Sequence, residues 1–251
     1  MMLPIYQVDA FASELFRGNP AAVVPLEEWL PDTVLLSIAL ENNLSETAYL
    51  VPDRNGYHIR WFTPVVEVAL CGHATLASAH VVFSELGFDG EMIEFQSKSG
   101  PLTVKCGGSG YIMDFPAEPS DSCDVPKPLT EGLGLEPDLV MKGTDYLAVV
   151  STQLQIEKLA PDFRKLARLK SRGLIVTAPG DDCDFVSRCF FPQTGIDEDP
   201  VTGSAHCQMP PYWVDRLGKS KLVAWQLSAR GGKVICEMQG DRVTLEGEAV
   251  K

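Results

Sequence analysis

Two similar stretches of sequence decide the fold, LCGHATLASAH at residues 70–80 and VTGSAHCQMP at residues 201–210. In each stretch a glycine leads into a run of small residues, a pattern that is typical of the start of a helix. Because Gly72 and Gly203 occupy the same place in the two stretches, we expect one structural unit that occurs twice in the chain.

Other matching positions support an internal duplication. The order Arg-x-Phe-x-Pro occurs at residues 60–64 and again at residues 188–192. Four further positions agree between the halves, namely Glu67 with Glu198, Ala74 with Ala205, Leu86 with Leu217 and Gly87 with Gly218. In both halves a strand pair precedes the glycine, and three strand-like runs follow the helix. The sequence therefore predicts two similar α+β domains.

Turn signals place the strands and helices. Asn55-Gly56 separates the strand-like TAYLV from YHIRWF, which is the strongest short signal for a hairpin. Turns at residues 107–110 and 239–241 separate two further strand pairs. Helices are predicted over residues 32–43, 73–86, 161–169 and 204–217. Because proline removes a helical hydrogen bond, Pro210-Pro211 predicts a kink or a new segment within the last helix.

The predicted domain limits follow from the composition between the halves. The segment PAEPSDSCDVPKP at residues 116–128 is rich in proline and acidic residues, which is typical of a linker. We therefore expect an N-terminal domain over residues 1–115 and a C-terminal domain over residues 116–251. The pattern leaves open whether the final strand pairs with the first or the second domain.

Charge and composition argue against several classes of protein. The net charge is −13 and no basic stripe is available to neutralise phosphates, so nucleic-acid binding is not expected. No apolar run approaches the roughly 18 residues of a membrane span, and the N-terminus lacks the pattern of a signal peptide. The seven cysteines contain no C-x-x-C spacing, which indicates neither a disulfide scaffold nor a zinc site. We expect a reducing, cytoplasmic setting.

The two glycine-led helix starts are candidate sites for an anion. A helix N-terminus presents unpaired N–H groups and the positive end of the helix dipole, and glycine lets a ligand approach the backbone. The pattern favours a small carboxylate bound between the two domains. The alternative is that Gly72 and Gly203 only make tight turns before their helices. Phosphate is less favoured because neither G-x-x-x-x-G-K-[ST] nor G-x-G-x-x-G occurs.

Acidic and imidazole side chains near these helix starts are candidates for proton transfer. His73 directly follows Gly72, although a lone histidine is more often structural. Asp199 and Glu198 precede the second helix, where acidic residues also act as ordinary caps. Glu46 opens a strand directly after a helix. The pattern alone fits a functional carboxylate and a solvent-exposed residue at the end of a strand equally well.

Cys71 is ambiguous. It stands at the start of a helix, where the pKa of a thiol tends to fall, so it is a candidate base or nucleophile. Its counterpart in the second half is Thr202. A symmetric pair of thiols is therefore not expected.

Five motifs together identify a family. They are FRGNPAAVV (16–24), NNLSETAYL (42–50), RWFTPVVEVALCGHATLA (60–77), GIDEDPVTGSAHC (195–207) and LSARGG (227–232). In this order they resemble the PhzF-like family of phenazine-biosynthesis-type isomerases, over nearly the whole chain. Relatives of that family include diaminopimelate epimerase and proline racemase, which share its duplicated fold.

The resemblance implies a diaminopimelate epimerase-like fold of two domains, each a curved or barrel-like, mostly antiparallel sheet around a central helix. It implies an active site in the cleft between them, no metal or organic cofactor, and a homodimer. The glutamate that shuttles a proton in the family falls on Glu46, with His73 and Asp199 as the further catalytic residues. The expected substrate-binding residues are Asn19, Ser45, Cys71, Gly72, Thr202, Gly203 and Ser204.

Three functions are weighed on this basis. The first is an isomerase that moves a proton on an amino-acid-like or dihydroaromatic acid, with the pKa of an enclosed Glu46 raised toward neutrality. The second is an epimerase or racemase that uses Cys71 with Asp199. The third is a binding protein that retains the fold without catalysis. The intact set of cleft motifs favours the first.

Overall fold

The computed structural model describes residues 2–54, 56–108 and 110–251. The backbone divides into two compact units. The first unit contains Met1–Asp114 together with Glu246–Lys251, and the second contains Phe115–Leu245. The chain therefore leaves the first unit after Asp114 and returns to it at Glu246.

Short strands and a few helices make up the described residues. The α-helices are α1 Asp32–Asn42, α2 Gly72–Ser84, α3 Lys127–Leu133, α4 Gln153–Glu157, α5 Phe163–Leu166 and α6 Ala205–Leu217, with a 3-10 helix at Pro192–Thr194. The earlier strands are β1 Tyr6–Ala10, β2 Asn19–Pro25, β3 Glu46–Asp53, β4 Gly56–Phe62, β5 Glu67–Val68, β6 Met92–Ser97, β7 Gly100–Gly107, β8 Gly110–Pro116 and β9 Asp121–Ser122. The later strands are β10 Leu139–Lys142, β11 Tyr146–Val149, β12 Leu174–Pro179, β13 Phe185–Phe191, β14 Ile196–Asp199, β15 Lys221–Gln226, β16 Gly232–Gln239, β17 Arg242–Gly247 and β18 Ala249–Val250. None of the helices in these ranges has the length and apolar composition that crossing a membrane requires.

The sheet of the first unit is mostly antiparallel, as the sequence predicts. Strand β1 pairs antiparallel with both β2 and β18, so residues close to the C-terminus complete this sheet. Antiparallel pairs also join β3 to β4, β6 to β7 and β7 to β8. Only β2–β3 and β4–β6 are parallel among the pairs seen in the described part of this unit. The protein is thus of the α+β class.

Helix α2 is buried in the first unit. It contacts β1, β2, β3 and β18. Its alanines are fully buried, and their small side chains let the strands pack closely against the helix. The buried hydroxyls of Thr75 and Ser78 donate to the carbonyls of Cys71 and Ala74, at 2.6 and 2.7 Å. Because these polar groups are satisfied within the helix, they add no unpaired donor to the core.

The second unit repeats a pairing order found in the first. Strand β13 pairs antiparallel with β12 and β14, and parallel with β15. In the first unit β4 pairs antiparallel with β3 and β5, and parallel with β6. The buried helix follows the short strand in both units, α2 after β5 and α6 after β14. This order agrees with the repeated motifs, while the domain limits of 1–115 and 116–251 remain a prediction.

Helix α6 excludes one of the two outcomes expected for Pro210-Pro211. It runs from Ala205 to Leu217 without a break, so no new helical segment begins at the prolines. Pro211 leaves the carbonyl of Cys207 without a helical donor, because proline has no N–H group. The backbone N–H of Glu118 donates to that carbonyl at 2.9 Å. A hydrogen bond from a neighbouring segment thus replaces the missing helical one.

The segment at residues 116–128 follows the point where the chain leaves the first unit, and several of its backbone groups are hydrogen-bonded within the second unit. The N–H of Ala117 donates to the carbonyl of Asp241 at 2.9 Å. Further along, β9 pairs antiparallel with β10. Between β8 and α3 only Asp121–Ser122 of this segment form a strand, and Lys127 and Pro128 already belong to α3.

Candidate active site

Three predicted site residues of the first unit lie in one cluster. The Nε2 atom of His73 is 3.1 Å from the Oε2 atom of Glu46. The Sγ atom of Cys71 is 3.5 Å from Nδ1 and 4.0 Å from Nε2 of the same ring. Cys71 and His73 are each 7% exposed, and the side chain of Glu46 is 14% exposed. The cluster is therefore nearly closed to solvent.

Local backbone geometry places these three side chains together. Cys71 has an extended backbone and precedes Gly72, the first residue of α2, so the chain turns into the helix at this point. Glu46 is the first residue of β3, which pairs parallel with β2. Because α2 packs on β2 and β3, the start of β3 brings its carboxylate to the first turn of α2.

Asn19 and Ser45 flank the same strands. Asn19 is fully buried and begins β2, two residues before Ala21, the partner of Glu46 in the parallel ladder. Ser45 directly precedes β3 and is half-buried. Gly18, which precedes Asn19, has a φ of +63°, and a Cβ atom there would lie 2.1 Å from the carbonyl oxygen of Ala10. The positive φ and the close approach of this carbonyl oxygen therefore require glycine at position 18.

A second cluster lies in the second unit, at the start of α6. The hydroxyl of Thr202 donates to Oδ2 of Asp199 at 2.5 Å. The side-chain amide of Gln226 accepts from the N–H of Thr202 at 2.8 Å and donates to the carbonyl of Asp199 at 2.7 Å. Gly203 and Ser204 follow, and α6 begins at Ala205. The fully buried Gln226 thus fixes the loop between Asp199 and the helix.

Arg172 is a residue of this second cluster that sequence reasoning missed. Its guanidinium forms a two-point ion pair with Asp145, which is fully buried. The Nη2 atom of Arg172 also donates to the hydroxyl of Ser204 at 2.9 Å. Gln208 holds the backbone of Asp145 in turn, accepting from its N–H and donating to its carbonyl. The side chain of Arg172 remains 41% exposed, so a fixed positive charge reaches solvent beside Ser204.

An arginine–glutamate pair supports the strand before each helix. Arg188 contacts both carboxylate oxygens of Glu198, at 2.7 and 2.8 Å, and also donates to the carbonyls of Ile156 and Leu159. Arg60 binds Glu67 in the same two-point way, with both distances 2.8 Å. Of the two acidic candidates before α6, Glu198 is therefore engaged in this ion pair.

Comparison with known proteins shows the family of this chain. The sequence model of the PhzC-PhzF family, described as phenazine biosynthesis-like protein, matches residues 8–251. The chain belongs to this phenazine biosynthesis-like family. An uncharacterised isomerase of Pseudomonas aeruginosa is 51% identical to it over 249 residues, which cover 99% of this chain and 96% of that protein.

Solved structures give the same fold. The crystal structure of a PhzF-family phenazine biosynthesis protein from Enterococcus faecalis has a TM-score of 0.98 at 46% identity, covering all of this chain and 96% of that one. The structure of a predicted epimerase from Pseudomonas aeruginosa has a TM-score of 0.73 at 17% identity, covering 99% and 96% of the two chains. The second likeness shows that the family shares its fold with an epimerase-like protein.

The charges of the first cluster in this phenazine biosynthesis-like protein oppose one sequence prediction. Burial favours a neutral Glu46, but the charge of His73 and hydrogen bonds from His73 and Cys71 outweigh it and hold the pKa of Glu46 below its usual value. The expected rise toward neutrality is therefore wrong for this arrangement. Sequence reasoning allowed for burial but not for an imidazolium 3.1 Å away.

The pKa values of the other two groups follow from the same contacts. Burial alone lowers the pKa of His73, but its neighbours Cys71 and Glu46 attract its proton and raise the pKa well above the usual value. Burial, together with the charge of Glu46, raises the pKa of the Cys71 thiol, so the predicted fall at a helix start is also wrong. The contact between Glu46 and His73 therefore favours the charged forms of both groups, and burial favours the protonated thiol of Cys71.

The predicted site residues thus form two groups, one in each unit. Glu46, Cys71 and His73 contact one another in the first unit, with Gly72 between the last two. Asp199, Thr202 and Ser204 share one hydrogen-bonded region with Gly203 in the second. The first group can accept and return a proton, and the second presents a guanidinium and a hydroxyl to an anion.

Proposed function

We propose that this protein is an isomerase that moves a proton between two positions of a small carboxylic acid, without an organic cofactor, and that Glu46 carries the proton. The 3.1 Å contact between the Glu46 carboxyl group and the His73 ring is the observation that carries the proposal. It places a base and a cation side by side in a site that is nearly closed to solvent.

The class of enzyme rests on the relatives. The family contains uncharacterised isomerases that are 46–51% identical to this chain over almost its full length. The chain is therefore an isomerase. The substrate, the proton carrier and the site of binding are the parts that we propose.

The chemistry follows from the charges of the first cluster. Glu46 accepts a proton from a carbon next to the carboxyl group of the substrate and becomes a neutral acid, and the electron pair of the broken C–H bond delocalises into the substrate. The imidazolium of His73 and the N–H groups at the start of α2 face the negative charge that develops. Glu46 then returns the proton to a second carbon, so that the enzyme ends in its starting state.

The pKa of Glu46 is consistent with this cycle. In the structure His73 holds the carboxylate in its charged form, which is the form that accepts a proton. When His73 moves its contact from Glu46 to a bound substrate, the carboxylate loses that stabilisation and becomes a stronger base. One side chain can then act first as base and afterwards as acid.

The second cluster supplies candidates for binding the carboxylate of the substrate. Arg172 offers a guanidinium held rigidly by Asp145, and Ser204 offers a hydroxyl beside it. Charge-assisted hydrogen bonds from arginine to a carboxylate are among the strong ones. That Asp199 takes part in catalysis, and that the substrate lies between the two domains, stay predictions from the sequence.

Exchange of carbon-bound protons in D₂O tests the proposal. Wild type, Glu46→Gln and Cys71→Ser are compared by NMR over a panel of amino acids and dihydroaromatic acids. We expect exchange in wild type, loss by about 10²–10⁴-fold in Glu46→Gln, the usual share of general acid–base catalysis, and retention in Cys71→Ser. Exchange that needs Cys71 and not Glu46 would instead support an epimerase. No exchange with any compound of the panel would favour a binding protein.

A further inference from the structure

The cluster in the first unit also has the composition of a metal site. Glu46, Cys71 and His73 each offer one donor atom, an oxygen, a sulfur and a nitrogen, and these atoms lie within 4.8 Å of one another. We propose that this cluster binds Zn²⁺ reversibly, with these three side chains as ligands, and that zinc inhibits the enzyme by occupying the residues that move the proton.

The distances between the donor atoms suit a zinc ion. Zinc binds sulfur at about 2.3 Å and nitrogen or oxygen at about 2.0–2.2 Å, so two ligands of a tetrahedral site lie about 3.3–3.6 Å apart. Here the sulfur of Cys71 is 3.5 and 4.0 Å from the two ring nitrogens of His73. The ring Nε2 atom is 3.1 Å from Glu46. All three donor atoms lie within 4.8 Å of one another, so side-chain adjustment would bring Nε2, Sγ and Oε2 around one centre.

The types of ligand favour zinc over the common hard cations. Thiolate and imidazole ligands select zinc and related transition metals, whereas magnesium and calcium prefer sites made of oxygen alone. One thiolate and one carboxylate also balance the two positive charges of the ion. Three protein ligands leave a fourth position for water or a small anion, as in open zinc sites.

Zinc binding and proton transfer exclude each other in this arrangement. The ion would take a lone pair of the His73 ring and the carboxylate oxygen that now contact one another at 3.1 Å. Ligands must be deprotonated to bind, so the thiol of Cys71 and the imidazolium of His73 would each release one proton to solvent. Glu46 would then no longer be available to accept a proton from a substrate.

The cysteine spacing in the sequence gives no signal of such a site, because only one of the three ligands is a cysteine. Glu46 lies in β3, whereas Cys71 and His73 lie at the start of α2. Within the ranges that the structure describes, no second group of three such side chains meets the same distance condition. Cys106 is exposed and lies outside this cluster. It provides a matched control, since Cys106→Ser removes a thiol and leaves the three ligands in place.

The test is a zinc titration of metal-free protein, freed of metal with a chelator that is then removed by dialysis. Zn²⁺ is added in competition with a chromophoric chelator, and Co²⁺ serves as a probe of thiolate ligation by its absorption. We expect one tight zinc per chain in wild type and in Cys106→Ser, and no competition by Mg²⁺. Cys71→Ala and Glu46→Gln should each weaken binding by at least about 10–100-fold, the loss that already follows removal of an outer-shell partner.

Several results would overturn the inference. Wild-type affinity in Cys71→Ala, or a cobalt complex without thiolate absorption, would place the ion elsewhere. Circular dichroism shows whether each variant is folded. If Cys71→Ala does not fold, Glu46→Gln still tests the proposal, because glutamine keeps the shape of the glutamate side chain. The titration needs no substrate, so its result is independent of the proposed isomerisation. Zinc binding can be absent from an active isomerase, and it can be present in a protein that shows no exchange. Where exchange is observed, zinc should abolish it and a chelator should restore it. Activity that requires the bound zinc would contradict inhibition.

Discussion

The Nε2 atom of His73 lies 3.1 Å from the Oε2 atom of Glu46, and both side chains are nearly buried. Each residue therefore sets the charge of the other. A buried carboxylate would by itself favour its neutral form, and a buried imidazole would as well. Together the two groups favour the charged forms, which is the state a proton-accepting carboxylate requires.

We expect Glu46→Gln to lower the pKa of His73, because the variant removes the negative charge that stabilises the imidazolium and leaves the effect of burial. An NMR titration of the imidazole resonances measures this change. The matched control is His206 of the second unit, whose pKa burial lowers to about 4 and which should have the same pKa in both proteins. A His73 pKa that is unchanged in the variant would show that Cys71, and not Glu46, holds the proton on the ring.

The same pair makes stability depend on pH. The raised pKa of His73 stabilises the fold fully below its unfolded value of 6.5, and this contribution is lost as the pH rises through the folded pKa. The lowered pKa of Glu46 stabilises the fold above 4.5, and this contribution is lost as the pH falls through the folded pKa. Urea unfolding should therefore show the largest difference between wild type and Glu46→Gln between these two values. A difference that does not vary with pH would mean that the ion pair does not contribute.

Arg172→Gln should impair both stability and substrate binding. The fully buried Asp145 would lose its partner, and hydrogen bonds to charged groups contribute about 1.5–3 kcal/mol. We expect a free energy of unfolding lower by that order and a KM higher by about 10–100-fold, because we propose that the same guanidinium binds the carboxylate of the substrate. Lys127→Gln is the control, since its exposed pair with Glu131 should change stability by less than about 1 kcal/mol. A KM equal to that of wild type would remove Arg172 from the binding site.

Arg188→Gln should destabilise the second unit. The side chain is 13% exposed, and it binds Glu198 and two carbonyl oxygens. Loss of these bonds should lower the free energy of unfolding by about 2–4 kcal/mol, in the range for a partly buried pair that loses one member. Chemical denaturation measures it, with the exposed Arg164→Gln as the control. Equal stability of the two variants would argue against a supporting role for Arg188.

Gly18→Ala and Gly87→Ala separate two effects of an added side chain, the strain of a left-handed backbone and the steric contact of the Cβ atom. Both glycines have positive φ angles, of +63° and +68°. A Cβ atom would meet the carbonyl of Ala10 at 2.1 Å in the first case and nothing within 4 Å in the second. Gly87→Ala should cost about 1–2 kcal/mol from the left-handed backbone alone, and Gly18→Ala more. Gly18→Ala should also reduce exchange activity because it displaces Asn19, whereas equal losses in the two variants would exclude a steric effect.

Local patterns predicted the elements that carry the site. Gly72 and Gly203 marked the starts of α2 and α6 because a glycine followed by small residues is a local signal that needs no distant partner. The motif around Glu46 indicated that this carboxylate lies near His73, through resemblance to a family. Whether these residues catalyse the reaction remains a prediction.

Contacts between distant parts of the chain could not be predicted in this way. Arg172 and Asp145 are each ordinary charged residues in sequence, and only the folded chain brings them together beside Ser204. The unbroken course of α6 depends on the N–H of Glu118, which lies far from Pro211 in sequence. The pKa of Glu46 likewise depends on a distance that no sequence pattern contains.

Strand β18 has a consequence for synthesis of the protein. Ala249 and Val250 pair with β1 and lie against α2, although nearly all other residues of that unit precede residue 115. A ribosome therefore completes the whole second unit before it supplies the strand that finishes the first. During translation the edge of β1 and the part of α2 that β18 contacts therefore remain uncovered until residue 250 has emerged.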